Sequence, residues 1–157
     1  MKEMYTSLLL VIKDGKILLS RKKRGFGMGK INGIGGKVEP GETIEEGLLR
    51  ESFEEASIIP IDYEKRAEII FDEPFKGEQI KVIMNVFVAS CIKGEPIESE
   101  EVEPMWFSLD TIPYNKMFED DIIWLPEIIA GKKFKANFKF DKNFKLFEHS
   151  LEFVKAL

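Results

Sequence analysis

The chain has one cysteine and one histidine among its 157 residues. Cys91 therefore has no partner for an intramolecular disulfide. Its place in the apolar run from Val82 to Ile92 reads as a buried, inert thiol, a usage suited to a reducing cytosol. His149 lies near the C-terminus and is expected to be exposed or at a strand end, far from any zinc-type ligand set. Long apolar runs are also missing: no segment reaches the ~18 residues needed to span a bilayer. Met1-Lys2-Glu3 leads into strand-like sequence rather than a secretory signal, so a cytoplasmic protein without a membrane partner is expected. There is no excess of positive charge. The net charge of -5 offers no general attraction for a nucleic-acid backbone, so polymeric DNA or RNA is not expected as a partner. A small polyanion stays open as a ligand, because a bound divalent cation reverses the local sign of charge. Internal repeats, low-complexity tracts and Pro/Gly/Ser linkers are absent, which predicts one domain over residues 1–157. An acidic surface and an apolar strand edge do not select between monomer and homodimer. What is present is a hydrophobic share of 44%, enough for a continuous core without covalent staples.

Strands lead the chain. Thr6 to Ile12 is almost continuously apolar, Asp14-Gly15 is a turn signal, and Ile17-Leu18-Leu19 resumes the pattern as the second arm of a hairpin. Arg21 to Gly29 is basic and too rich in glycine for a regular element, so it is expected to be a loop. Further strands are expected over Arg66 to Phe71, Ile80 to Ile92, Pro104 to Leu109, Phe134 to Phe140 and Phe144 to Val154. Helix is the minority component. Thr43-Ile44-Glu45-Glu46 has the spacing of a capping box and opens a helix reaching about Ala56; a second helix is expected from Asp120 to Ala130, ended by Gly131. Trp106 and Trp124 read as packing residues. The order of elements predicts an α+β (mixed α/β) domain.

On the first helix, which advances about 100° per residue, Ile44, Leu48, Glu51 and Glu55 share a narrow stripe, with Gly47 and Glu54 beside it. Carboxylates spaced i and i+4 repel one another and call for a compensating cation. From helix spacing alone, a solvated acidic face balanced by Arg50 is an equally natural reading. Donors that are all oxygen, with no imidazole or thiol nearby, suit a hard cation such as Mg²⁺ or Mn²⁺ rather than zinc. Immediately upstream, Gly33 to Glu42 is glycine-rich and lets main chain approach a ligand closely.

The glycine-rich loop entering a carboxylate helix resembles the Nudix box, G-x5-E-x7-R-E-U-x-E-E-x-G-U, where U is a bulky aliphatic. Gly36, Glu42, Arg50, Glu51, Glu54, Glu55 and Ile58 match it in register, while Ser52 replaces the first U and Ser57 the last glycine. Ser57 is expected to adopt the left-handed conformation there at a cost of ~1 kcal/mol. The resemblance implies a mixed β-sheet sandwiched between α-helices and a Mg²⁺-dependent pyrophosphohydrolase. It makes Glu51, Glu54 and Glu55 metal ligands with the Gly36 carbonyl, and it gives Glu42 and Arg50 the task of holding loop and helix together. Glu101 matches an acidic residue that some relatives use as ligand or base; read alone, it is equally a solvated surface charge.

Similarity extends from about Tyr5 to Phe140. Lys22 to Gly27, Asn32-Gly33, Pro104-x-Trp106-Phe107, Glu119-Asp120-Asp121 and Lys132-Lys133-Phe134 are similar to the MutT-like branch that hydrolyses oxidised purine nucleoside triphosphates such as 8-oxo-dGTP. That branch implies base recognition by Asn32, Asp120 and Asp121, stacking by Phe26 and Phe118, and phosphate contact by Lys22. Without the resemblance, Asp120 and Asp121 read as helix caps, Lys22 as a solvated lysine and Phe71 as a core residue. Another diphosphate substrate, such as ADP-ribose or a dinucleoside polyphosphate, and a non-catalytic nucleotide-binding regulator are the competing readings.

Overall fold

Alternation along the first strand decides the layering of the whole molecule. In the computed structural model, which describes residues 1–157, β1 (Glu3–Lys13) sends Leu8 and Leu10 into one apolar cluster and Leu9 and Val11 into another. Both faces of the strand are covered, which is why its sequence is almost continuously apolar instead of alternating. Asp14 and Gly15 both take positive φ, 52° and 74°, as a two-residue hairpin turn requires, and β2 (Lys16–Lys22) folds back antiparallel. Arg21 and Lys22 thus belong to a strand, and the expected loop begins only after them.

Two short strands come next: β3 (Ile31–Asn32), where no element was expected, and β4 (Ile34–Lys37), inside the stretch expected to be a glycine-rich loop. β4 pairs with β1, setting Gly35 opposite Leu8 and Gly36 opposite Ser7. Glycines there do not signal irregular backbone; they permit close approach, since a Cβ on Gly35 would stand 2.0 Å from the Ser7 carbonyl oxygen.

α1 (Ile44–Ala56) carries both halves of the capping box: Glu46 N–H donates to Thr43 Oγ1 at 3.1 Å, and Thr43 N–H donates to Glu46 Oε1 at 2.8 Å. Ser57 ends it with φ 60° and ψ 33°, the left-handed geometry expected of the position. Leu48 is buried against the sheet, and buried Ser52 satisfies its hydroxyl by donating to the Leu48 carbonyl at 2.7 Å.

β5 (Ile59–Phe75) and β6 (Glu78–Lys93) form a long antiparallel ribbon; β5 extends well past the expected Arg66 to Phe71, while β6 follows the expected Ile80 to Ile92 closely. β7 (Val102–Ser108) pairs with β2, and β8 (Phe134–Phe140) lies parallel to β5 with β9 (Leu146–Phe153) at its far edge. The main path of the sheet runs β3-β2-β1-β6-β5-β8-β9, mixed because β1–β6 and β5–β8 are parallel. α2 (Asp121–Ile129) packs Trp124, Leu125 and Ile128 into the Leu8 cluster, opposite the cluster that contains Leu48 of α1. The expected mixed sheet between helices is therefore present, with one helix on each face.

Two packing expectations need correction. Cys91 is half-buried, because Ile92 takes the core-facing position next to it and alternation turns Cys91 away. Trp106 is exposed for the same reason: Met105 and Phe107 pack inward and leave it on the outer face of β7. His149 is exposed as expected and stacks on Phe138 across β8 and β9. No helix is long and apolar enough to cross a membrane.

Candidate active site

Pairing of β4 with β1 carries Gly36 over the C-terminal half of α1. A Cβ on Gly36 would lie 2.7 Å from Glu51 Cδ and 2.9 Å from both carboxylate oxygens, so only glycine leaves this space to Glu51. One turn further along, Glu55 Oε1 accepts from Gly35 N–H at 3.2 Å. Glu51 and Glu55 thus face the sheet from the inward stripe. Glu54 does not: its side chain is 59% exposed against 16% for Glu51.

Arg50 binds the loop to the helix. Its Nη2 donates to Glu42 Oε1 at 2.7 Å and to the Lys37 carbonyl at 3.0 Å, Nε donates to Glu42 Oε2 at 3.0 Å, and Nη1 reaches Glu51 at 2.9 Å and Glu54 at 3.1 Å. The guanidinium, helped by the Glu39 N–H, holds Glu42 down at about 2. Burial has the opposite effect on the inward acids: it raises Glu51, and with the charge of Glu51 it pushes Glu55 up to about 7. No three acidic, histidine or cysteine side chains converge as a ready-made metal cluster, since Arg50 engages Glu51 and Glu54 through one nitrogen. The donor set nevertheless fits a hard divalent cation: it is oxygen only, its members repel one another, and two of them are largely removed from water. Glu101, before β7, accepts from Arg24 Nε at 2.9 Å, and that pairing lowers it; its charge raises Glu51 and Glu55, so it lies within electrostatic reach of the helix.

On the other side of β4 is a cavity of about 210 Å³. Asn32, Asp120 and Asp121 provide its polar wall, Phe26 and Phe118 an aromatic one, and Lys22, Gly35 and Gly36 the side nearest α1. The expected recognition residues are therefore brought together. The aspartates are not simple helix caps. Asp120 sits at the cap position but makes no capping bond and instead accepts from Trp124 Nε1 at 2.7 Å; Asp121 accepts from Phe118 N–H at 2.9 Å. They are 4% and 5% exposed, and burial pushes Asp120 up to about 6 and Asp121 well above its ordinary value, the latter also through the charge of Asp120. Neutral and ionised carboxyls side by side supply a donor and an acceptor. Phe26 and Phe118 stack at 5.9 Å with an interplanar angle of 16°. Phe71 is both buried and part of the cavity wall.

The cavity wall also holds residues that the sequence did not single out, Phe144 and Glu73 among them. Phe144, in the turn between β8 and β9, meets Phe26 edge-on at 5.3 Å and stacks on Phe140 at 4.6 Å. No local signal could have found it. Glu73 was findable, because it lies two residues beyond Phe71 on the same face of β5.

A mixed sheet between two helices, with a glycine-backed carboxylate helix beside a cavity walled by carboxyl and aromatic side chains, defines a class, and the chain belongs to the Nudix family, whose NUDIX domain it matches over residues 3–128. Within that family it is 43% identical to the oxidized purine nucleoside triphosphate hydrolase of Danio rerio, over 98% of this chain and 100% of that one. It is 42% identical to the protein of that name from Mus musculus, over 96% of this chain and 95% of the relative. The MutT protein of Bacillus halodurans shares the fold, with a TM-score of 0.81 at 24% identity over 95% of this chain and 97% of the other.

Proposed function

We propose that the protein is a Mg²⁺-dependent pyrophosphohydrolase, also served by Mn²⁺, that converts oxidised purine nucleoside triphosphates such as 8-oxo-dGTP to the nucleoside monophosphate and pyrophosphate. It would clear damaged nucleotides from the cytoplasmic pool. The observation that carries this reading is a shared wall: Gly35 and Gly36 line the cavity on one side and contact Glu55 and Glu51 on the other. A nucleotide whose base enters the cavity has its phosphates directed toward the carboxylate helix.

In this reading Glu51, Glu54 and Glu55 would hold the cation with the Gly36 carbonyl, and Glu101, now paired with Arg24, would serve as a further ligand or as proton acceptor. When bound, the cation neutralises the phosphate chain and makes phosphorus accessible to water. Arg50 and Glu42 keep β4 and α1 in register, so that the donors stay where the phosphates arrive. Lys22 adds positive charge on the phosphate side, where it already lowers Glu55 and Glu101. Phe26 and Phe118 stack on the base, Asn32 bonds its edge, and Asp120 with Asp121 reads it through one shared proton.

The test is a product-resolved panel of 8-oxo-dGTP, 2-hydroxy-dATP, dGTP and dATP with Mg²⁺. The expected result is preferential release of pyrophosphate from the oxidised members, abolished in Glu55→Gln. In Asn32→Ala, discrimination between bases should fall more than metal affinity. Equal rates on oxidised and normal nucleotides would overturn the substrate assignment, and undiminished turnover by Glu55→Gln would overturn the metal assignment.

A further inference from the structure

The cavity contains a carboxyl that the reading above leaves unused. β5 runs along its floor, and strand alternation that turns Phe71 into the cavity turns Glu73 the same way. None of the chain's ion pairs includes Glu73, Asp120 or Asp121. Lys22, which also lines the cavity, exerts its charge on Glu55 and Glu101 rather than on Glu73. Asp120 and Asp121 are each held by a protein donor, from Trp124 and from the Phe118 backbone. Glu73 has no such support. Burial and the charge of Asp120, with no hydrogen bond to offset them, push it up to about 7. A lone acid held at this cost beside two others is stabilised by whatever brings it a hydrogen-bond donor, and the open side of its carboxyl is the cavity itself.

We infer that Glu73 is a specificity-determining residue that accepts from an exocyclic amino group of the purine, favouring amino-bearing bases over bases of the same ring system that lack the amino group. The inference rests on the cavity being the base site. An amino group hands Glu73 the donor it lacks. A base with C–H at that position leaves the carboxyl unpaired, and one with a carbonyl sets acceptor against acceptor.

The experiment compares triphosphates that differ in one amino group: 8-oxo-dGTP with 8-oxo-dITP, 2,6-diaminopurine with adenine, and adenine with unsubstituted purine deoxyribotriphosphate. Each is assayed in mildly alkaline buffer with the wild-type protein, Glu73→Gln and Glu73→Leu. In at least one pair, the wild-type protein should favour the amino-bearing member by about 10-fold or more, the scale of a hydrogen bond to a charged group. The preference should appear in KM rather than kcat, because the base contact is the same in ground and transition states. Glu73→Leu should reduce it to within about twofold, with Glu73→Gln intermediate because an amide oxygen still accepts. A preference unchanged in Glu73→Leu, an equal fall on every nucleotide, or no preference in any pair overturns the inference. Thermal melts serve as the folding control, since removing a half-buried carboxyl that has no partner in the fold should not lower the melting temperature. Calorimetric binding of the corresponding monophosphates in EDTA separates the two readings. Selective, Glu73-dependent binding without any triphosphate turnover would sink the proposed activity and sustain this inference; binding that ignores the amino group would sink this inference alone.

Discussion

Two neighbouring glycines should fail in opposite ways when each gains a methyl group. In Gly35→Ala the new Cβ would lie 2.0 Å from the Ser7 carbonyl oxygen and 2.9 Å from Leu8 Cα, both backbone atoms of β1. An ordinary C···O contact needs about 3.3 Å, so β4 must retreat from β1 by more than ~1 Å. Overpacking of this kind costs roughly 1–3 kcal/mol, and with a strained ladder the upper figure applies. For a chain of this size a loss of about 3 kcal/mol lowers Tm by roughly 6–12 °C. In Gly36→Ala the three atoms nearest the new Cβ all belong to the Glu51 carboxylate, at 2.7–2.9 Å. That is the free end of a side chain, so the fold should change by less than about 1 kcal/mol while Glu51 is pushed aside. A displacement near 1 Å at a reacting group costs on the order of 100-fold in rate. Thermal melting followed by circular dichroism, with pyrophosphate release at saturating nucleotide, measures both quantities. The reasoning is refuted if Gly36→Ala melts as early as Gly35→Ala, or if it turns over at the wild-type rate.

Leu48→Ala should cost about 2–5 kcal/mol in urea unfolding, because Leu48 is fully buried between α1 and the sheet and its loss leaves a cavity; a change under ~1 kcal/mol would contradict that packing. Asp120 gives a pH signature. Its carboxyl is raised from 3.8 to about 6 in the folded protein, so between these values the folded state binds more protons than the unfolded state and stability falls as pH rises. Asp120→Asn keeps an acceptor for Trp124 and removes this penalty, so its melting temperature relative to wild type should climb from pH 4 to pH 7; a constant difference across that range would refute the assignment.

Local chemistry was legible where it is written in adjacent residues. The Thr43 and Glu46 pair announced the start of α1, and Asp14-Gly15 announced the hairpin, because caps and tight turns depend on the residues that form them. The registered glutamates and Arg50 pointed to the helix and its loop before any geometry was known. Helix spacing put Glu54 beside the inward stripe, yet it did not reveal that Glu54 turns to solvent and shares Arg50 with Glu51. Ile34 to Lys37 was hidden as a strand because its glycines suggest a loop until β1 is seen pressed against them. The N-terminal part of β5 was hidden because Asp62 to Lys65 is largely polar, and only the partner strand keeps such residues extended. Phe144 reaches Phe26 from more than a hundred positions away, a meeting set by the whole sheet.

β1 also works as a partition. Thr6, Ser7 and Leu8 line the cavity, while Leu9 and Val11 share a core with Leu48 of the carboxylate helix. Glu73, Phe118 and Phe144 line the cavity on one side of that wall, and Leu48 packs on the other. Under the proposed function, side chains of the cavity can be exchanged one at a time to revise which nucleotide is accepted, without touching the face that packs the carboxylate helix.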